Sequence, residues 1–165
     1  MKLIPRAKIP AEPSGRASEL ALERFLPYRL SVLTNRISTA IARVYAKRFD
    51  LTVPEWRVMA VLGRFGAMSA NSVCDRTAMD KVRVSRAVAR LAASGRLMRR
   101  IDADDRRRSV LALTGEGRAV YDEIGPLALA VEARLLMPLD GADRADLDRL
   151  LAKLEARAAT SFTED

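Results

Sequence analysis

The stretch DKVRVSRAVARLAASGRLMRRIDADDRRRSVLALT, residues 80–114, changes its apolar period part-way along, and that change decides the fold. From Lys81 to Ser94 the residues Val84, Val88 and Leu91 return every three or four positions, the spacing of one helix face. Asp80 stands ahead of them as an N-cap and Gly95 behind them as a stop. Past Gly95 the period falls towards two: Leu97, Met98 and Ile101 lead into the charged run 102–108, and Val110, Leu111 and Leu113 follow it. Two short strands around a charged turn are expected, a β-hairpin.

Working upstream, Ser69 can cap a short helix through Val73 to Arg76. Thr52 with Glu55 forms a capping box ahead of Trp56, Val58, Met59, Val61 and Leu62, so a helix should begin there and stop near Gly66. Between 18 and 49 the residues Leu22, Phe25, Leu26, Leu30, Leu33, Ile37, Ile41, Val44 and Tyr45 mark one long helix or two in line, with Pro27 as a kink or a fresh start. Downstream, Thr114 caps a helix carrying Val120, Tyr121, Ile124, Leu127 and Leu135, with a bend expected at Gly125-Pro126. Asp140 or Asp143 opens a last helix through Leu147, Leu150, Leu151 and Leu154.

This order predicts a mainly α protein with a small β-hairpin wing: a winged helix-turn-helix flanked by N- and C-terminal dimerisation helices. The divisions are a flexible arm over 1–17, a dimerisation helix over 18–49, the winged helix-turn-helix DNA-binding lobe over 50–113 and C-terminal dimerisation helices over 114–165. The apolar stripes of the flanking helices exceed what a lobe of that size can cover, which points to a homodimer.

At 165 residues, 49% hydrophobic and 30% charged, the chain has the length of one domain and enough apolar residues for a core. It has no His, which excludes imidazole acid–base chemistry, Ser-His or Cys-His nucleophiles and His-ligated metal. Its single Cys, Cys74, forms no internal disulfide or Cys-based zinc site, has no resolving partner and reads as a small apolar residue. There is no paired-carboxylate, metal-ligand or phosphate-loop pattern, so an enzyme is the poorest reading. No cofactor is expected. No long uncharged apolar window suggests a membrane span, and Pro5, Pro10 and Pro13 break the apolar run that a signal peptide needs, so the expected location is cytoplasmic.

The net charge of +8 is uneven. Residues 76–108 hold 11 basic against 4 acidic side chains, whereas residues 109–165 hold 6 against 11. On the helix from Lys81, Arg83, Arg86 and Arg90 fall at i, i+3 and i+7 and share a face. Arg is the side chain suited to bidentate contact with guanine edges or to clamping phosphate, so these three are candidate DNA contacts. The alternative is a solvated helix face. Lys81 and Ser85 are further candidates, and the backbone amides of Ser69 and Asn71 could meet a phosphate. In the turn, Arg106 and Arg107 suit a narrow minor groove, and Asp105 can brace Arg107.

The run Asp105-Arg106-Arg107, then Leu111-Ala112-Leu113-Thr114 and Gly117-Arg118, resembles the wing signature of the MarR family of transcriptional regulators. Leu51-Thr52 with Pro54-Glu55-Trp56-Arg57-Val58, and Met79-Asp80-Lys81 with Val84-Ser85-Arg86-Ala87-Val88 and Arg90-Leu91, resemble that family's second helix and recognition helix. The resemblance implies a homodimer with interlocked first and last helices. It also implies recognition helices in successive major grooves of a pseudo-palindromic double-stranded operator, and a wing arginine, here Arg107, in the minor groove. Ala103 replaces the commoner Pro of the turn.

Around Tyr28, Arg29, Ser31, Arg36 and Trp56 the chain is similar to MarR regulators that sense hydroxycinnamates, benzoates or their coenzyme A thioesters. That likeness makes these five candidate ligand contacts, with an Arg clamp and an aromatic wall for a small aromatic acid or thioester effector. Trp56 could equally be a core anchor, and Arg29 or Arg36 could bridge subunits. The expected function is a sequence-specific, homodimeric repressor released by such an effector. A redox-controlled or ligand-independent winged-helix regulator, and a winged-helix protein–protein module, stay open as alternatives.

Overall fold

The structure is a computed structural model that describes residues 20–101 and 109–161. The chain divides into two compact units, one up to Asn35 and one from Arg36 onward. Its elements are α1 (Leu26–Phe49), α2 (Val53–Phe65), α3 (Ala70–Thr77), α4 (Lys81–Ala93), β1 (Leu97–Ile101), β2 (Ser109–Leu113), α5 (Gly115–Leu135) and α6 (Gly141–Ser161). This is the helical order and hairpin expected from the sequence. The arm expected over 1–17 lies outside the described residues.

α1 begins at Leu26, so Pro27 sits in its first turn, where a missing N–H loses no helical bond, and no interior kink is needed. In the N-terminal unit, Leu22, Phe25, Leu26, Leu30 and Leu33 are exposed.

In the larger unit the caps do what their chemistry predicts. The Thr52 N–H donates to Glu55 Oε2 at 2.7 Å, the Ser69 hydroxyl accepts from the Ser72 N–H at 3.1 Å, and the Asp80 carboxylate accepts from the Arg83 N–H at 2.7 Å. Thr114 Oγ1 caps α5 through the Gly117 N–H at 3.0 Å and also donates to the Gly95 carbonyl at 2.7 Å. Asp140 and Asp143 cap α6 reciprocally, each accepting the other's N–H. α5 continues through Pro126.

The core gathers the last turns of α1 with α2, α3, α4, the base of the hairpin and the first half of α5, through residues such as Tyr45, Met59, Leu62, Val73, Val88, Leu91, Leu111 and Ile124. Gly63 permits α5 to approach α2, because a Cβ there would stand 2.5 Å from the Tyr121 ring. β1 and β2 pair antiparallel with Leu97 opposite Leu113 and Ile101 opposite Ser109. Of β1 only Leu97 is buried, since a two-stranded ribbon reaches the core at its base alone. One pairing was not legible in the sequence. Met68, between α2 and α3, bridges to Leu111: its N–H donates to the Leu111 carbonyl at 3.1 Å and its carbonyl accepts the Leu111 N–H at 2.8 Å. β2 is therefore bonded on both edges, which fixes the hairpin to the α2–α3 connection.

Candidate nucleic-acid interface

α4 has one dry side and one wet side. Val84, Ala87, Val88 and Leu91 are buried, while Lys81, Val82, Arg83, Ser85, Arg86 and Arg90 are exposed. The dry residues pack on α2 and α3, so the outward face is fixed by the core and not by its own charges. Arg83, Arg86 and Arg90 line one groove of about 310 Å3 together with Thr52, Pro54 and Glu55 from the start of α2. The structure thus brings the three arginines together, as the i, i+3, i+7 spacing implies.

They are not equivalent. Arg83 has an acidic neighbour in Asp80, Nε to Oδ2 3.9 Å, with both side chains more than half exposed, a pair that water screens. Arg90 places its Nε 2.6 Å from Oε1 of Glu55, a carboxylate that is only 2% exposed. That oxygen accepts no hydrogen bond of good geometry, so the contact is an ion pair at close range. Sequence reasoning missed this partner because Glu55 already had a role, as the capping residue of α2.

Val82 was missed as well. It is 59% exposed and lines the groove beside Arg83 and Arg86. A β-branched apolar residue between two cations at the start of a basic helix is the signal that could have found it.

Ser69 uses its hydroxyl as a cap and meets Ser72 Oγ at 2.9 Å, leaving its backbone at the start of α3; Asn71 is exposed there. The wing residues Asp105, Arg106 and Arg107 lie outside the described residues. The strands leading to them carry Arg99 and Arg100, both exposed.

Of the candidate ligand contacts, Tyr28, Arg29 and Ser31 are exposed on the first turns of α1. In the larger unit Arg36 is exposed, and Trp56 is half-buried against the core, its ring 5.7 Å from Tyr45 and stacked 6.0 Å from Tyr121. Trp56 thus packs against the core with part of its surface still accessible. Tyr45 is fully buried with no hydrogen-bond partner for its hydroxyl, and burial pushes its pKa up to about 12, Arg57 opposing and Glu55 adding. Cys74 is half-buried and packs against the core. Among the described residues no cluster of acidic or sulfur ligands could hold a metal, and no helix is long and apolar enough to cross a membrane.

Three packed helices, a hairpin tied to the α2–α3 connection and a cationic fourth element define a winged helix-turn-helix DNA-binding protein. Residues 49–108 match the sequence profile of the MarR family. The chain is 30% identical to SPO1453, a MarR family transcriptional regulator of Silicibacter pomeroyi DSS-3, covering 81% of this chain and 96% of that one with a TM-score of 0.68. It belongs to the MarR family of transcriptional regulators. TtmR, an HTH-type transcriptional regulator of Methylorubrum extorquens (strain PA1), is 28% identical over 95% of this chain and 80% of its own length. BpsR of Bordetella bronchiseptica, whose DNA binding is regulated by 6-hydroxynicotinic acid, is 27% identical over 81% of this chain and 94% of its own, with a TM-score of 0.70.

Proposed function

We propose that this regulator is a homodimeric repressor that reads a pseudo-palindromic operator with α4 and is released by a small aromatic carboxylate or its coenzyme A thioester. The observation that carries the DNA half is the arginine groove: Arg83 and Arg86 project from a helix whose opposite side is locked into the core. Lys81, Ser85 and the start of α3 at Ser69 and Asn71 supply phosphate contacts. Arg106 and Arg107, with Asp105 as brace, are assigned to the minor groove on their sequence alone.

Exposed leucines on α6 support the dimer. Every residue from Gly141 to Thr160 is exposed, and Leu147, Leu150, Leu151 and Leu154 follow one another at i, i+3, i+4 and i+7. A stripe of that kind needs a cover, and a second copy presents the same stripe to it.

The likeness to BpsR supports an aromatic acid as effector. Candidate contacts are Arg36 and Trp56 in the larger unit and Tyr28, Arg29 and Ser31 in the N-terminal one. Titration of benzoate, a hydroxycinnamate, 6-hydroxynicotinate and the corresponding thioesters into a fluorescent operator complex tests this. Release by one of them, lost in Arg36→Ala, is the expected result; no release by any overturns the effector assignment and leaves the DNA assignment standing.

A further inference from the structure

We infer that Glu55 withholds Arg90 from DNA, so that the reading set of α4 is Val82, Arg83 and Arg86 and the third arginine is a positioning residue that ties the helix to α2. The inference rests on the DNA-binding reading of α4.

Glu55 spends both carboxylate oxygens. Oε2 accepts the Thr52 N–H at 2.7 Å and Oε1 lies 2.6 Å from Arg90 Nε. At 2% exposure this carboxylate has almost no water, so it depends on that cation for its charge compensation. A DNA phosphate that drew Nε away would leave Glu55 buried and unpaired, and one that met the Nη groups instead would face a cation already neutralised by that carboxylate. Arg83 faces no such competitor, since Asp80 is itself 65% exposed and 3.9 Å away. The three arginines share one face, but the α2 carboxylate sets one of them apart.

The salt dependence of binding to random-sequence duplex counts the cations that reach phosphate, with a slope of about 0.9 per contact in log affinity against log salt. It therefore reports where Arg90 goes, which overall stability does not. Arg90→Gln, which keeps a donor for Glu55, leaves the slope at its wild-type value. Glu55→Gln, which keeps an acceptor for Thr52, frees the guanidinium, steepens the slope by about 0.9 per protomer and raises random-duplex affinity several-fold at low salt. The double variant returns to the wild-type slope. The inference is overturned by a shallower slope in Arg90→Gln or by an unsteepened one in Glu55→Gln. Should Glu55→Gln fail to fold, the Arg90 Nε–H resonance of the wild-type chain decides the point, being unmoved by DNA on this account and displaced if Arg90 grips phosphate. Salt-independent binding by the wild type would instead remove the DNA-binding reading of α4 on which the inference rests.

Discussion

Gly117 sits directly against Arg96: a Cβ at position 117 would stand 2.0 Å from the Arg96 carbonyl oxygen. The carbonyl cannot yield, because it accepts the Thr114 N–H at 3.1 Å and so closes the base of the hairpin onto the start of α5. Gly117→Ala is therefore expected to destabilise the chain by about 1–3 kcal/mol or more, through overpacking against backbone. Denaturant unfolding at fixed protein concentration measures it; a loss within a few tenths of a kcal/mol would show that the α5 start can shift.

Between α3 and α4, Ala78 ends its helix in the left-handed region, at φ 51° and ψ 32°. A Cβ is disfavoured there and glycine is not. Ala78→Gly should raise stability by about 0.5–1 kcal/mol, the relief of strain exceeding the added freedom of the unfolded chain. A fall in the denaturation midpoint would contradict it.

The caps, the helix order and the hairpin were legible because each is written locally. Ser69, Asp80 and Thr114 bond backbone within three residues of themselves. The arginine face was legible for the same reason, since helical spacing alone puts Arg83, Arg86 and Arg90 together. What was not legible depends on distant partners. Met68 bridges to Leu111, Glu55 reaches Arg90 across two helices, and Gly63 matters only because Tyr121 lies on it. The packing of Trp56 against Tyr45 and Tyr121 likewise joins residues far apart in the chain.

Among the described residues the group that departs clearly from its ordinary pKa is a phenol, Tyr45, raised to about 12 by burial. Its folded pKa exceeds the unfolded value near 10, so its contribution to stability is fully present below pH ~10 and is lost as pH climbs through ~12. Tyr45→Phe removes that alkaline loss. At pH 7 it is expected to be neutral or stabilising, because the buried hydroxyl has no partner. Chemical denaturation at pH 7 and pH 11 gives the comparison, and an unchanged alkaline slope in Tyr45→Phe would assign the loss elsewhere.

The exposed α6 stripe predicts that Leu151→Glu, at 39% exposure in the single chain, disturbs association more than folding. A charge buried at a dimer interface is opposed by desolvation and by its own symmetry mate. Sedimentation should show monomer with near-native helical content and weakened DNA binding. A dimer of wild-type affinity would place the interface on another surface.

The most direct test of DNA reading by α4 is the affinity ratio between a selected operator duplex and a random duplex, measured at one salt concentration for the wild type and for Arg86→Ala. A bidentate base contact is worth about 1–3 kcal/mol of discrimination, so the ratio should shrink roughly 5- to 150-fold while random-duplex binding changes far less. Equal losses on both duplexes would contradict it and make Arg86 a phosphate contact only.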